Sequence, residues 1–237
     1  MTQALLYQSA PTGNDLLDRL PSWEQRDLLL VAEQVALAPR QVIFEPCQLI
    51  DRAWFPLAGV ISLVARTSDG AGVAVASVGR EGMVGLPIVL GEASSPNLTA
   101  AVQVPGTALT VGALELRRRS RPPAGLHMLL QAYAHTLLTR TAQEAACNRR
   151  HTVLQRCACL LLQTEDRVGA PDFPLTQDQI AHLLGTRRAS VVGAARTLQE
   201  AGAIRYRRGR LHVADRRTLA RLSCDCYEVI AISPRIP

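Results

Sequence analysis

The apolar positions of this chain change rhythm three times. Over Trp23–Leu37, the residues Trp23, Leu28, Val31 and Val35 are spaced for one helical face, which predicts a short helical segment. From Arg40 to Leu116 short apolar or alternating runs take over: Gln41–Phe44, Val60–Ala65, Gly72–Val78, Ala100–Val104 and Ala108–Val111. Glycine, proline, serine and aspartate clusters separate them. Many short strands between regular turn signals predict a β-sandwich or a barrel-like β-roll. The arginine-rich stretch Arg117–Pro123 interrupts this pattern as a solvated helix end or turn. Beyond it Ala124–Ala146 is proline-free, with Leu126, Leu130, Tyr133, Leu137, Thr141 and Glu144 three or four apart. That stripe predicts an amphipathic helix of about six turns, long enough to pair with a copy of itself.

The last third carries the most local signals. Thr176 is placed to cap a helix, with Gln179 three residues on as the reciprocal partner. Ile180, Leu183 and Leu184 give that helix an apolar face, and Gly185 suits its left-handed end. A second helix is predicted from Arg187 to Glu200, burying Val191, Ala194, Ala195 and Leu198 and stopping at Gly202. Two short helices across a glycine turn make a helix-turn-helix, whose second helix reads base edges with its N-terminal residues. Here those residues are Thr186, Arg187, Arg188, Ser190 and Val191. Ile204–Val213 then alternates as a hairpin, with Arg207, Arg208, Gly209 and Arg210 across its tip as a wing for a phosphate backbone. The expected division of labour is base readout by Arg187, Arg188 and Ser190, and phosphate contacts by Thr176, Arg207, Arg208 and Arg210. Gln177, next to the cap, joins the DNA-facing set.

Charge supports that assignment. The net charge is +6, yet residues 1–148 hold 11 arginines against 12 acidic residues, and residues 149–237 hold 15 against 8. The excess therefore sits where the recognition elements are predicted, as in a neutral module joined to a basic one. All basic residues are arginine, which grips phosphate and guanine edges bidentately. With no lysine there is no Schiff-base nucleophile, and the GxxxxGK, HExxH and GxSxG motifs are absent as well. An enzyme is not expected. Aromatic residues make up only 4%, too few for base stacking as the main mode of binding.

The stretches LTQDQIAHLLGTRRASV and LQEAGAIRYRRGRLHV, in the order β-rich domain, long helix, winged helix, resemble the Crp/Fnr superfamily of bacterial transcription regulators. The resemblance implies an α+β fold: an N-terminal β-roll of the double-stranded β-helix or jelly-roll type, a long dimerisation helix and a C-terminal winged helix-turn-helix. It implies a cyclic-nucleotide-binding-like sensor domain over 1–120, a dimer helix over 121–148 and a DNA-binding domain over 149–237. The implied partners are a near-palindromic double-stranded DNA site and a second copy of the chain, with RNA polymerase as a further candidate. The helix residues expected at the dimer seam are Leu126, Leu130, Tyr133, Leu137 and Thr141.

Members that sense cyclic nucleotides hold the ligand with a Gly-Glu pair and, after a short loop, Arg-Ser/Thr-Ala. Gly85, Thr99 and Ala100 match that frame, but Leu86 stands at the glutamate position and Leu98 at the arginine position. A phosphate buried without its guanidinium is heavily penalised, so the pocket is expected to be degenerate and the effector to differ from cyclic AMP. Ala189 and Gly193 replace an acid and an arginine of the best-known recognition helix, so that family's common operator is not expected.

Six cysteines remain. Cys157 and Cys159, like Cys224 and Cys226, are separated by one residue, unlike the two-residue spacing suited to tetrahedral zinc. Ordinary thiols, with no metal site and no cofactor, are the expectation. No export signal or membrane span is visible, which favours reduced thiols in the cytoplasm and no membrane partner. A thiol-redox-responsive regulator, or a constitutive DNA-binding protein whose β-roll is only a scaffold, are the rival readings.

Overall fold

The computed structural model describes residues 10–66, 72–91, 93–95 and 97–232; residues 1–9, which bear on the expectation about an export signal, lie outside them. Helix α1 (Ser22–Leu29) leads into strands β1 (Glu33–Leu37) and β2 (Val42–Phe44). Two long strands, β3 (Arg52–Arg66) and β5 (Leu98–Gly112), flank β4 (Gly72–Val78) and the one-turn helix α2 (Pro87–Leu90) in the chain. The strands form one antiparallel sheet in the order β1-β5-β3-β4, with β2 also paired to β5.

Strands of 15 residues would run about 50 Å if straight. They do not, because their pairing shifts register three times between Pro56 and Ile61, which bends the ladder. The bend needs glycine. A Cβ at Gly106 would lie 2.1 Å from the Ala58 carbonyl oxygen, and Gly59 takes φ +85° with Val104 O 2.6 Å from its would-be Cβ. The two expected strands Ala100–Val104 and Ala108–Val111 are thus halves of one bent strand. The expected helix over Trp23–Leu37 is also corrected. It stops at Leu29, Trp23 is exposed, and Glu33–Leu37 pairs with β5 as a strand.

Arg117–Arg119 form the last turn of helix α3 (Ala113–Arg119), the solvated helix end that is one of the two expectations, and Arg117 Nε donates to the Ile88 carbonyl. Helix α4 (Gly125–Arg150) follows, 26 residues or about 39 Å long. Its first backbone N–H groups are satisfied from far away in sequence: Gly125 and Leu126 donate to the two oxygens of Glu24 at 2.8 and 2.7 Å. A carboxylate at that end also complements the helix dipole.

Helix α5 (Val153–Val168) begins at a capping box in which Thr152 and Gln155 exchange bonds, and ends at Gly169 in the left-handed region. Then come β6 (Asp172–Pro174), α6 (Gln177–Leu184), α7 (Arg188–Glu200), β7 (Ile204–Arg207), β8 (Arg210–Val213), α8 (Arg216–Leu222) and α9 (Cys226–Ile232). Strands β6, β8 and β7 form a small antiparallel sheet. One core joins the N-terminal sheet to the first half of α4; a second unites α5–α8 with the small sheet and reaches Val60 and Val104 of the large one.

Candidate nucleic-acid interface

The predicted cap is present. Gln179 N donates to Thr176 Oγ1 at 3.3 Å, and Thr176 N donates to Gln179 Oε1 at 2.9 Å. Gly185 ends α6 at φ +57°, where a left-handed residue lets the chain turn sharply toward α7. Val191, Ala194, Ala195 and Leu198 are buried as expected, which removes Val191 from the groove-facing residues and turns Arg187, Arg188 and Ser190 outward, with Thr186 half-buried.

At the wing, Arg207 pairs with Arg210 across the hairpin, and Arg208 (φ +49°) and Gly209 (φ +78°) form its two-residue tip. Two positive φ angles match the strand twist of a tight hairpin. The tip folds back on the start of α6: a Cβ at Gly209 would lie 4.0 Å from Thr176 Cγ2. Thr176, Gln177 and the wing arginines are therefore neighbours, although Thr176 spends its hydroxyl on the cap.

The guanidinium groups differ in what holds them. Arg188 Nε lies 3.0 Å from Asp178, and Arg210 lies 2.6 Å from Asp172, all four side chains being at least half exposed. Among the described residues Arg187, Arg207 and Arg208 have no carboxylate within ion-pair distance. Such pairs contribute little in water and exchange readily for phosphate. Asp178, the counter-ion of Arg188, carries no signal in the sequence. Its position ten residues earlier, on a different helix, hid it.

The sensor residues are placed differently from a ligand pocket. Leu86 and Ala100 are buried in the N-terminal core, and Leu98 packs against it. Gly85 takes φ +110° with Ala53 Cα 3.1 Å from its would-be Cβ, and the Thr99 hydroxyl is buried without a partner among the described residues. On α4 the expected dimer stripe is partly corrected. Leu126, Leu130 and Tyr133 are at most 2% exposed inside the chain's own core, and Tyr133 donates to the Met83 carbonyl at 3.0 Å. Leu137 and Thr141 are half-buried. The face left open carries Met128, Gln131, His135, Leu138, Ala142 and Ala145, again three or four apart.

The two halves meet through polar contacts as well as through Val60 and Val104. Gln103 on β5 accepts from Ser62 at 2.6 Å and Ser77 at 3.1 Å, and donates to Thr164 on α5 at 3.1 Å. Arg167 on α5 donates to Glu81 at 2.8 Å, with Arg140 of α4 3.6 Å from the same oxygen. Burial works against the Glu81 carboxylate, but Arg167 and then Arg140 hold it below the usual range. For Glu144 nearby burial wins, and its carboxyl is pushed up to about 7. The helix-turn-helix itself backs onto β4: a Cβ at Gly185 would lie 2.4 Å from Val73, and one at Gly72 would lie 2.9 Å from His182.

Residues 155–222 match the family model of the Crp-like helix-turn-helix domain. No curated protein matches this chain. Among solved structures, FixK2 from Bradyrhizobium japonicum is similar at 18% identity and a TM-score of 0.68, covering 82% of this chain and 98% of its own. The c-di-GMP responsive global regulator CLP of Xanthomonas campestris is similar at 14% identity and 0.66, covering 82% and 99%. A CRP/FNR-family transcriptional regulator from Thermus thermophilus is similar at 21% and 0.66, covering 81% and 98%. At these identities the likeness is one of fold. No helix of the described residues is long and apolar enough to cross a membrane. Residues 155–222 therefore carry a Crp-like helix-turn-helix domain, and over most of its length the chain shares the fold of these solved Crp/Fnr-type structures.

Proposed function

We propose that the protein acts in the cytoplasm as a homodimer that reads a near-palindromic DNA site, gated by an effector other than cyclic AMP. The carrying observation is the cluster of outward guanidinium groups, Arg187, Arg188, Arg207 and Arg208, at the first turn of α7 and the adjoining wing. Arg187, Arg188 and Ser190 read bases; Arg207, Arg208 and Arg210 meet phosphates, with Thr176 and Gln177 lining the same edge. The division into a sensor over 1–120, a dimer helix over 121–148 and a DNA-binding domain over 149–237 describes the working parts, and RNA polymerase is a further partner. The dimer seam is the open face of α4 centred on Met128 and Leu138, both about two-thirds exposed. Exposed apolar side chains at heptad spacing are supported by burial against a second copy.

Against cyclic AMP stand Leu86 and Leu98, neither of which can hold a ribose hydroxyl or a phosphate. Selection of bound duplexes from a random pool should enrich two inverted half-sites about 34 Å apart. No enrichment over competitor would sink the DNA reading, and enrichment of a single half-site by a monomer would sink the dimer. Calorimetric titration with cyclic AMP should give no saturable heat; micromolar binding would overturn the effector reading.

A further inference from the structure

One side-chain cluster plays no part in the interface. Cys147 in the last turn of α4, His151 at its C-terminal end, and Cys224 and Cys226 at the start of α9 bring four ligand atoms together. These atoms all lie within 4.8 Å of one another. Cys147 Sγ is 3.5 Å from Cys224 Sγ, and Cys226 Sγ is 3.5 Å from His151 Nδ1. Around a tetrahedral zinc ion, bond lengths of ~2.3 Å to sulfur and ~2.05 Å to nitrogen place neighbouring ligands about 3.8 Å (S–S) and about 3.6 Å (S–N) apart. The gaps found here are within a few tenths of an ångström of those spacings. They are too long for a disulfide, whose sulfurs are about 2.05 Å apart.

The surroundings are also those of a metal site. The other ring nitrogen of His151, Nε2, faces Asp225 Oδ1 at 3.4 Å. A carboxylate there keeps the proton on Nε2 and turns the Nδ1 lone pair toward the sulfurs, the carboxylate–histidine–metal arrangement. Gln143 Nε2 donates to Cys226 Sγ at 3.1 Å, as thiolate ligands commonly require. The three cysteines are buried, so the position is closed in the manner of structural rather than catalytic zinc. Simple packing of small apolar thiols explains neither an imidazole nitrogen aimed into the cluster nor the carboxylate behind it.

We propose that Cys147, His151, Cys224 and Cys226 form a mononuclear Cys3His site for Zn2+ that ties the C-terminal helix to the joint between α4 and α5. On binding, the three thiols each lose a proton to solvent, the neutral imidazole contributes its lone pair, and no electron is transferred. A seven-residue helix such as α9 is too short to persist alone; Tyr227 donates to Asp166 on α5 and Ile230 is buried, and the metal adds a tie at the first turn.

The test uses the full chain, purified under reducing conditions without a metal-affinity tag. Elemental analysis should find about one zinc per chain, and Cys224→Ser and His151→Ala should each lose most of it. Cys47→Ser, outside the cluster, should keep it. Cobalt in place of zinc should give visible d–d bands of a tetrahedral ion and thiolate-to-cobalt charge transfer. Should the cluster variants not fold, wild-type protein still decides. Alkylation read by mass spectrometry should label Cys147, Cys224 and Cys226 far faster after chelation than before, with Cys47 unaffected. Metal-free protein with no cobalt spectrum, zinc retained by Cys224→Ser, or iron accompanied by acid-labile sulfide would each overturn the proposal.

Discussion

Arg188 and Arg208 are both exposed arginines, yet they are expected to fail differently when removed. Arg188 sits at the first turn of α7, so Arg188→Ala should cost about 1–3 kcal/mol and relax preference at one base position. Arg208 occupies the hairpin tip, so Arg208→Ala should weaken all sequences alike and flatten the dependence of log K on salt. Fluorescence anisotropy over a salt series, with specific and scrambled duplexes, separates the two. Unchanged discrimination in Arg188→Ala would remove it from the groove. These residues were legible because their signals are local: a Thr-x-x-Gln cap, a helix-ending glycine, an Arg-Gly hairpin tip. The cysteine–histidine cluster was not. Its donors come from two stretches more than 70 residues apart, and the one-residue spacer between Cys224 and Cys226 carries no zinc signature until α4 is placed beside it.

Among the elements, α4 shows how periodicity can identify a helix and still mislead about its faces. Leu126, Leu130 and Tyr133 form a true apolar stripe, but the N-terminal sheet claims it. The neighbouring face, with Met128 and Leu138, is less apolar in sequence because Gln131 and His135 interrupt it. Leu138→Glu should therefore leave the protomer folded while raising the dimer dissociation constant at least about tenfold, a cost of ~1.4 kcal/mol. Sedimentation over a concentration series reads this directly, and an unshifted association would move the seam elsewhere. Strand β1 shows the opposite ambiguity. Val31 and Val35 fit a helical spacing, and only the pairing of Glu33–Leu37 with Gly106–Thr110 makes the segment extended. Such non-local pairing leaves no trace in a short window.

At the scale of the molecule, the joint between sensor and DNA-binding halves is built on charge as well as apolar contact. Glu144 keeps its proton in the folded protein up to about pH 7, whereas an ordinary glutamate releases it near 4.5. A carboxyl raised on folding adds stability in full below the lower value and loses it as pH climbs through the higher one. Stability should therefore fall between about pH 4.5 and 7 by about 1–2 kcal/mol, less than the full shift because Glu144 is partly solvated. Glu144→Gln should flatten that decline in calorimetric melting profiles. An identical slope in the variant would remove Glu144 as its source. Glu81, held in its ionised form by Arg167, works the other way and costs stability only in acid.

The contact between β4 and the turn before α7 has a mechanical consequence. At Gly72 against His182 and Gly185 against Val73, the sheet and the reading head approach so closely that neither glycine has room for a methyl group. Gly72→Ala needs no unusual φ, but its Cβ would meet Val64 Cγ1 at 2.8 Å and the His182 ring at 2.9 Å, so it should disturb the seat of α6 on the sheet and change DNA affinity; unaltered affinity would mean the contact is idle. A nudge of β4 by a fraction of an ångström would reach Thr186 and Arg187 sideways, by direct push, without travelling down α4 at all.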